Sequence, residues 1–406
     1  MKHIFFLTVL LFFTSSIVAA TTTIQSGIDQ ITHTPYLKFI TNKNIALVVN
    51  NASVNADGKS DIDVLFQHPQ VHLVALFSPE HGLNVHGVNY IKDGKHTKTG
   101  LPVYSLYGKH LSPTKESLHN VDVILIDLPD MGLRYFTYNA TMVHVMKAAK
   151  KYHKTVIILD RVDPLGGDIV SGATLDTHYA EKFASYFVVP TRYGMTMGEL
   201  ARYYNRYHSL HANLLVVPLK HWKRSLLFHA TGLPWMPPSP ALQTFQQAFL
   251  YSIFGILEST NISVGGLGES NVEYRHYGAP WITANQAKLL VKKIIDLHLP
   301  GLSFQYKTWI PNRGVYKNKI CRGFEVAVTD YHRVQDFYSL LTVLTTMHHV
   351  LGSAFHFGGM DQMMGASWVR HAIANQVPVQ QIMVRSQQEY KDFLRKRAAV
   401  LLYSSQ

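Results

Sequence analysis

The sequence predicts an α/β fold: a Rossmann-like, mostly parallel sheet with helices on both faces, followed by a smaller C-terminal α+β domain. Short uncharged runs of Val, Ile, Leu and Phe alternate with segments whose apolar residues recur at helical spacing. Continuous apolar runs of this kind read as parallel strands buried on both faces. From about residue 232 the texture changes to Pro- and Gly-rich stretches between longer helices, and 406 residues exceed what one core usually serves.

The chain opens with the form of a signal peptide. Lys2 and His3 make a polar start, Ile4 to Phe13 is almost wholly apolar, and Val18-Ala19-Ala20 supplies a cleavage site after Ala20. The apolar stretch is too short to span a bilayer. Thr21, not Cys, stands directly after the cleavage point. The expected product is exported, periplasmic or secreted, with no stable membrane anchor.

Strands are expected over 45–49, 71–77, 121–126, 155–159 and 214–217. Helices over 61–68, 112–119, 139–152 and 197–207 fall between them, so the crossovers are right-handed and the sheet mostly parallel. Ser112-Pro113 reads as an N-cap followed by Pro at the first helical position. Met142, Val145, Met146 and Ala149 share one helical face. Thr196 with Glu199 forms a capping box, which assigns Glu199 to the helix end. The prolines of GLPWMPPSPAL exclude a regular element there. Beyond it come helices over 243–256, 285–298 and 334–350, and a strand over 324–328. The expected domains are 21–262 and 263–406.

The net charge of +12 suits an anionic partner such as cell-wall glycan or a membrane surface. The basic residues are scattered, which argues against nucleic acid. The single cysteine, Cys321, excludes an intramolecular disulfide and multi-cysteine zinc sites, and reads as a buried structural thiol. No GxGxxG follows the first strand, and GxSxG, P-loop and HExxH patterns are absent. No cofactor and no metal are expected; a zinc site on His81, His86 and Asp127 is the lesser alternative.

Four carboxylates sit where strands run out: Glu80 in FSPEHG, Asp127 and Asp130 in VILIDLPDMGLRYFTY, and Asp160 in VIILDRVDP. Ligands of open α/β sheets bind just beyond the carboxyl ends of the strands. Glu80, set between Pro79 and His81-Gly82, suits a general acid with a raised pKa. Asp127, Asp130, Arg134 and Tyr138 share one loop, where aromatics stack on sugar faces and Asp and Arg bind hydroxyl and carboxylate groups. The other reading of that loop is an internal Asp–Arg pair. Arg161 either binds substrate or pairs with Asp160, Asp163 reads as a turn residue, and Glu258 in ESTNIS reads as a second carboxylate reaching the cleft or as a loop-ordering group.

SPEHG, LPVYSLYG, VDVILIDLPDMGLRYFTY, ILDRVDPLGG, RYGMTMGELA, LPWMPPSP and ESTNIS occur in this order. With them the chain resembles the NamZ-like exo-β-N-acetylmuramidases over nearly its whole mature length. The resemblance implies a cleft on a Rossmann-like domain, a smaller C-terminal domain, and release of terminal N-acetylmuramic acid, or a related sugar, from peptidoglycan fragments or muropeptides. It implies Glu80 as general acid and a second carboxyl among Asp127, Asp130 and Glu258. His81, Arg134, Tyr138, Asp160, Arg161 and Asn261 are the expected substrate contacts, with Arg134 or Arg161 meeting the lactyl carboxylate. The family usually has DxQD, RPNP, PSPN and EGTN…SxGRGT. Here Pro129, Val162-Asp163, Ala241, Ser259 and Leu267 stand at the altered positions. The losses motivate an alternative, a non-catalytic muropeptide-binding protein derived from the enzymes. A metal-dependent hydrolase is a third reading. Oligomeric state is left open.

Overall fold

The computed structural model describes residues 23–85, 91–182, 184–266 and 272–405; the expected signal peptide lies outside them. Strands β1 (Asn44–Val48), β2 (His72–Ser78), β3 (Gly94–Lys95), β4 (Pro102–Ser105), β5 (Val123–Ile126) and β6 (Thr155–Leu159) belong to one sheet. β7 (Ser171–Thr174) and β8 (Pro190–Arg192) form a separate antiparallel pair, and β9 (Leu214–Val217) closes the main sheet. Its order is β3-β4-β2-β1-β5-β6-β9, seven strands, parallel throughout except for β3.

The period of two along each strand feeds two cores. Ala46, Val48, Phe77, Ile124, Ile126 and Ile158 face the helices α3 (Tyr138–Lys151) and α4 (Met197–Tyr207). Ile45, Leu47, Leu76, Leu125 and Ile157 face α1 (Gly27–Ile31) and α2 (Asp61–Phe66). Buried on both sides, the strands carry no polar alternation, which is why the sequence shows them as unbroken apolar runs.

The expected helix over 112–119 does not form. Thr114 and Ser117 tie their side chains to each other's backbone N–H, at 2.9 and 3.2 Å. No helix follows this pair, and the stretch is a string of turns.

The second half packs α5 (Phe245–Phe254), α6 (Ala284–Asp296) and α7 (Asp336–Leu351) against a small antiparallel sheet. That sheet is ordered β10 (His276–Ala279), β12 (Cys321–Val328), β11 (Leu302–Trp309). Capping boxes at Thr244/Gln247 and Thr283/Gln286 start α5 and α6. Short helices α8 (Met360–Met364), α9 (Ser367–Ala374), α10 (Val379–Glu389) and α11 (Lys391–Ala398) follow. Cys321 is buried, and burial pushes its thiol up to about 11.

Residues 400–405 return to the first domain. Tyr403 Oη donates to Asp160 Oδ2 at 2.5 Å and accepts from the Leu219 N–H at 2.9 Å. The Leu402 N–H donates to Glu199 Oε1 at 2.7 Å. Glu199 also completes its capping box with Thr196 and pairs with the buried Arg224 at 2.6 Å.

Candidate active site

Beyond the carboxyl ends of the strands lies a cavity of about 340 Å³, whose lining includes Glu80, His81, Thr137, Tyr251, Glu258 and Tyr274. Glu80 leaves β2 one residue after Pro79, and the chain then turns sharply through His81 (φ 71°) and Gly82 (φ 72°). Left-handed backbone is costly for His, so the surroundings must hold this turn. They do so at Glu80. Its Oε2 accepts from Thr137 Oγ1 at 2.6 Å. Tyr107 also hydrogen-bonds the carboxylate; burial first, and Glu80's charge second, push that phenol up to about 12.

Glu258 arrives from the second half, on the 3-10 turn Gly255–Ser259 that continues α5. Tyr274 Oη donates to its Oε2 at 2.7 Å. Burial pushes the Glu258 carboxyl up to about 7; the charge of Glu80 adds to this and the Tyr274 hydrogen bond opposes it. Protein atoms crowd the group, yet the residue is exposed through the open cavity. Water there moderates the shift, and a ligand that displaces it strengthens the shift. The two carboxylates thus face one cavity and sense each other's charge.

The remaining expected residues are placed elsewhere. Asp127 is buried and pairs with Arg161 Nε, whose Nη2 stands 3.0 Å from Asp61 Oδ2. Arg161 is thereby committed to two buried carboxylates rather than to Asp160, and burial together with Asp127 holds Asp61 well above the usual carboxylate range. Asp160 is fully buried and caps α4, accepting from Thr196 Oγ1 at 2.7 Å and the Gly198 N–H at 2.8 Å. Arg134 is fully buried and donates to the carbonyls of Met363 and Met364 at 3.3 and 2.7 Å, joining the domains. Tyr138 is buried, accepting from Asn50 Nδ2 at 2.9 Å and donating to the Pro238 carbonyl. Asn261 orders a loop through Ala354 and His356, at 2.8 and 2.9 Å. These residues build the frame of the cavity and do not line it.

Asp130 lines a second, narrower cavity with Arg161 and Trp235. This is the crevice between β1 and β5, where the strand order diverges. Asp130 accepts from Tyr193 Oη and from the Gly132 N–H at 2.9 Å, and burial pushes it up to about 6 against those bonds. The zinc alternative finds no support. Asp127 is spent on Arg161, His86 lies outside the described residues, and no metal-holding group of three or more His, Cys, Asp or Glu exists among those described. Of the altered family positions, Ala241 lines the Glu80 cavity, Pro129 lines the narrower one, and Leu267 lies outside the described residues.

Family models decide the identity of this arrangement. The model of the N-terminal part of the exo-β-N-acetylmuramidase NamZ matches residues 45–246, and that of its C-terminal part matches residues 249–403. The chain belongs to the NamZ exo-β-N-acetylmuramidase family. As a NamZ family member it is a glycoside hydrolase. It is 36% identical over 385 residues to the peptidoglycan β-N-acetylmuramidase NamZ of Bacillus subtilis strain 168, a match covering 94% of this chain and 91% of the relative. The fold is shared with two crystal structures of DUF1343 family proteins from Bacteroides fragilis NCTC 9343. One has a TM-score of 0.84 at 31% identity, covering 94% of this chain and 99% of that one. The other has a TM-score of 0.77 at 25% identity, covering 95% and 100%.

Within this NamZ family chain, sequence reasoning named Glu80, His81 and Glu258 among the cavity residues. It missed Thr137 and Tyr274, which hold the two carboxylates. Thr137 stood inside a quoted motif, adjacent to Tyr138; nothing near Tyr274 in the sequence marks it.

Proposed function

We propose that this protein is exported and removes a non-reducing terminal N-acetylmuramic acid, or a closely related sugar, from peptidoglycan fragments. The observation that carries the reading is the convergence of Glu80 and Glu258, one from each half of the chain, on a single cavity. Glycoside hydrolysis uses two carboxyl groups flanking the scissile bond, one protonated and one ionised.

Environment divides the roles. Glu258, pushed up to about 7, retains its proton near neutrality and donates it to the leaving oxygen. Glu80, accepting from Thr137 and Tyr107, is the carboxylate on the sugar side. This reverses the expectation that Glu80 is the acid. Tyr251, Phe136 and Tyr135 give the cavity aromatic walls for a sugar ring. With Arg134 and Arg161 committed elsewhere, His81 is the basic side chain on that lining and meets the lactyl carboxylate.

The test is turnover of N-acetylmuramides with good and poor leaving groups. Glu80→Gln loses about 10²–10⁴-fold on both. Glu258→Gln loses as much with a poor leaving group and little with an activated phenol, which needs no proton. The opposite pattern returns the acid role to Glu80. Muropeptide binding without product from the wild type makes the protein a sugar-binding descendant of the enzymes.

A further inference from the structure

Between β11 and β12 the chain makes an exposed loop, residues 310–320. Its apolar side chains point into water: Val315 is 84% exposed, Ile310 58% and Ile320 48%. Val315 follows Gly314, whose backbone is left-handed (φ 78°) and has no atom near its missing Cβ, so this is an open tip. Arg313, Lys317 and Lys319 stand beside these side chains, all exposed, and none is ion-paired to a carboxylate among the described residues. No Asp or Glu occurs from 297 to 324. A free loop gains nothing in water by exposing three branched aliphatics. Interleaved with cations, they match a surface that is anionic outside and apolar beneath.

We propose that loop 310–320 is a peripheral docking element for an anionic lipid surface, with Val315, Ile310 and Ile320 entering the interface and Arg313, Lys317 and Lys319 meeting the headgroups. A glycan partner would be met by aromatic faces; here the tip is aliphatic. The loop is not a loose appendage. Tyr316, its half-buried residue, donates from Oη to the Asn261 carbonyl at 2.9 Å and accepts from Trp281 Nε1 at 3.3 Å. Asn261 lies three residues beyond Glu258. The loop is thereby tied to the segment that carries Glu258.

The experiment is co-sedimentation of the full mature chain with vesicles rich in phosphatidylglycerol, with pure phosphatidylcholine vesicles, and with isolated cell-wall sacculi. The expected result is binding to phosphatidylglycerol vesicles that weakens in high salt, with little on phosphatidylcholine. The triple variant Arg313→Glu, Lys317→Glu, Lys319→Glu lowers that binding at least a hundredfold, about fivefold for each cation removed. Val315→Asp lowers it further, and both variants hydrolyse a soluble muramide at the wild-type rate. Absence of binding to anionic vesicles at low salt overturns the proposal. So does equal binding by the triple variant, or loss of sacculus binding, in place of vesicle binding, in the same variants.

Discussion

The hydroxyl of Tyr274 donates to Glu258 at 2.7 Å, across the Gly-rich stretch that separates them in sequence. The bond favours the ionised form of Glu258 and so limits how far burial raises its pKa.

Replacing Tyr274 with Phe removes that restraint. The Glu258 pKa then rises above about 7 and, with Glu258 as the proposed acid, the alkaline limb of kcat/KM moves up. A pH–rate profile of the variant checks this. A shift of the acidic limb instead would give Glu258 the role of base.

Asp163 is buried, its Oδ2 has no partner, and burial pushes its carboxyl up to about 7. A folded-state pKa above the unfolded value means stability that is present below about pH 4 and lost as pH rises through 7. Asp163→Asn removes the buried charge while keeping an acceptor for the Leu165 N–H, now at 3.0 Å. The variant should gain on the order of a few kcal/mol at pH 8 and almost nothing at pH 4. Thermal unfolding at the two pH values measures the difference.

Arg134 holds the carbonyls of Met363 and Met364, and a Cβ on Gly365 would stand 2.6 Å from its Nη2. Arg134→Leu should cost about 3 kcal/mol or more of stability through lost charge-assisted bonds, with KM of the remaining folded enzyme unchanged. A raised KM at unchanged stability would make Arg134 a substrate contact. Gly365→Ala, which also strains a left-handed residue at φ 79°, should destabilise in the same direction.

Arg161 bridges Asp127 and Asp61 in the interior. Arg161→Met leaves two buried carboxylates unpaired and should cost about 3–5 kcal/mol. Adding Asp61→Asn should recover part of that loss, because one of the orphaned charges is gone. Denaturant unfolding of the single and double variants reads the recovery.

The main sheet was legible because its strands are buried on both faces and so carry unbroken apolar runs. The edge strand β11 was not, since exposed and half-buried residues mix along it, and neither was the short pair β7 and β8. The apparent helix start at Ser112-Pro113 leads only into turns, since a favourable first turn does not by itself propagate a helix. At the site, strand ends located the carboxylates but not their directions. Asp127 and Asp160 turn inward to Arg161 and to the N-terminus of α4, while Glu80 alone of the strand-end group opens into the Glu258 cavity. Side-chain direction depends on partners far away in sequence, such as Tyr403 for Asp160.

Tyr403 and Leu402 also set an order of events. Asp160 and Glu199 are buried in the first domain, yet each takes a hydrogen bond from residues made some two hundred positions later. A nascent chain halted before residue 402 would carry both carboxylates with those bonds unmade. The first half thus completes its set of buried hydrogen bonds only once the second half has been made. If the chain is exported as proposed, that order of events suits a polypeptide threaded unfolded across a membrane.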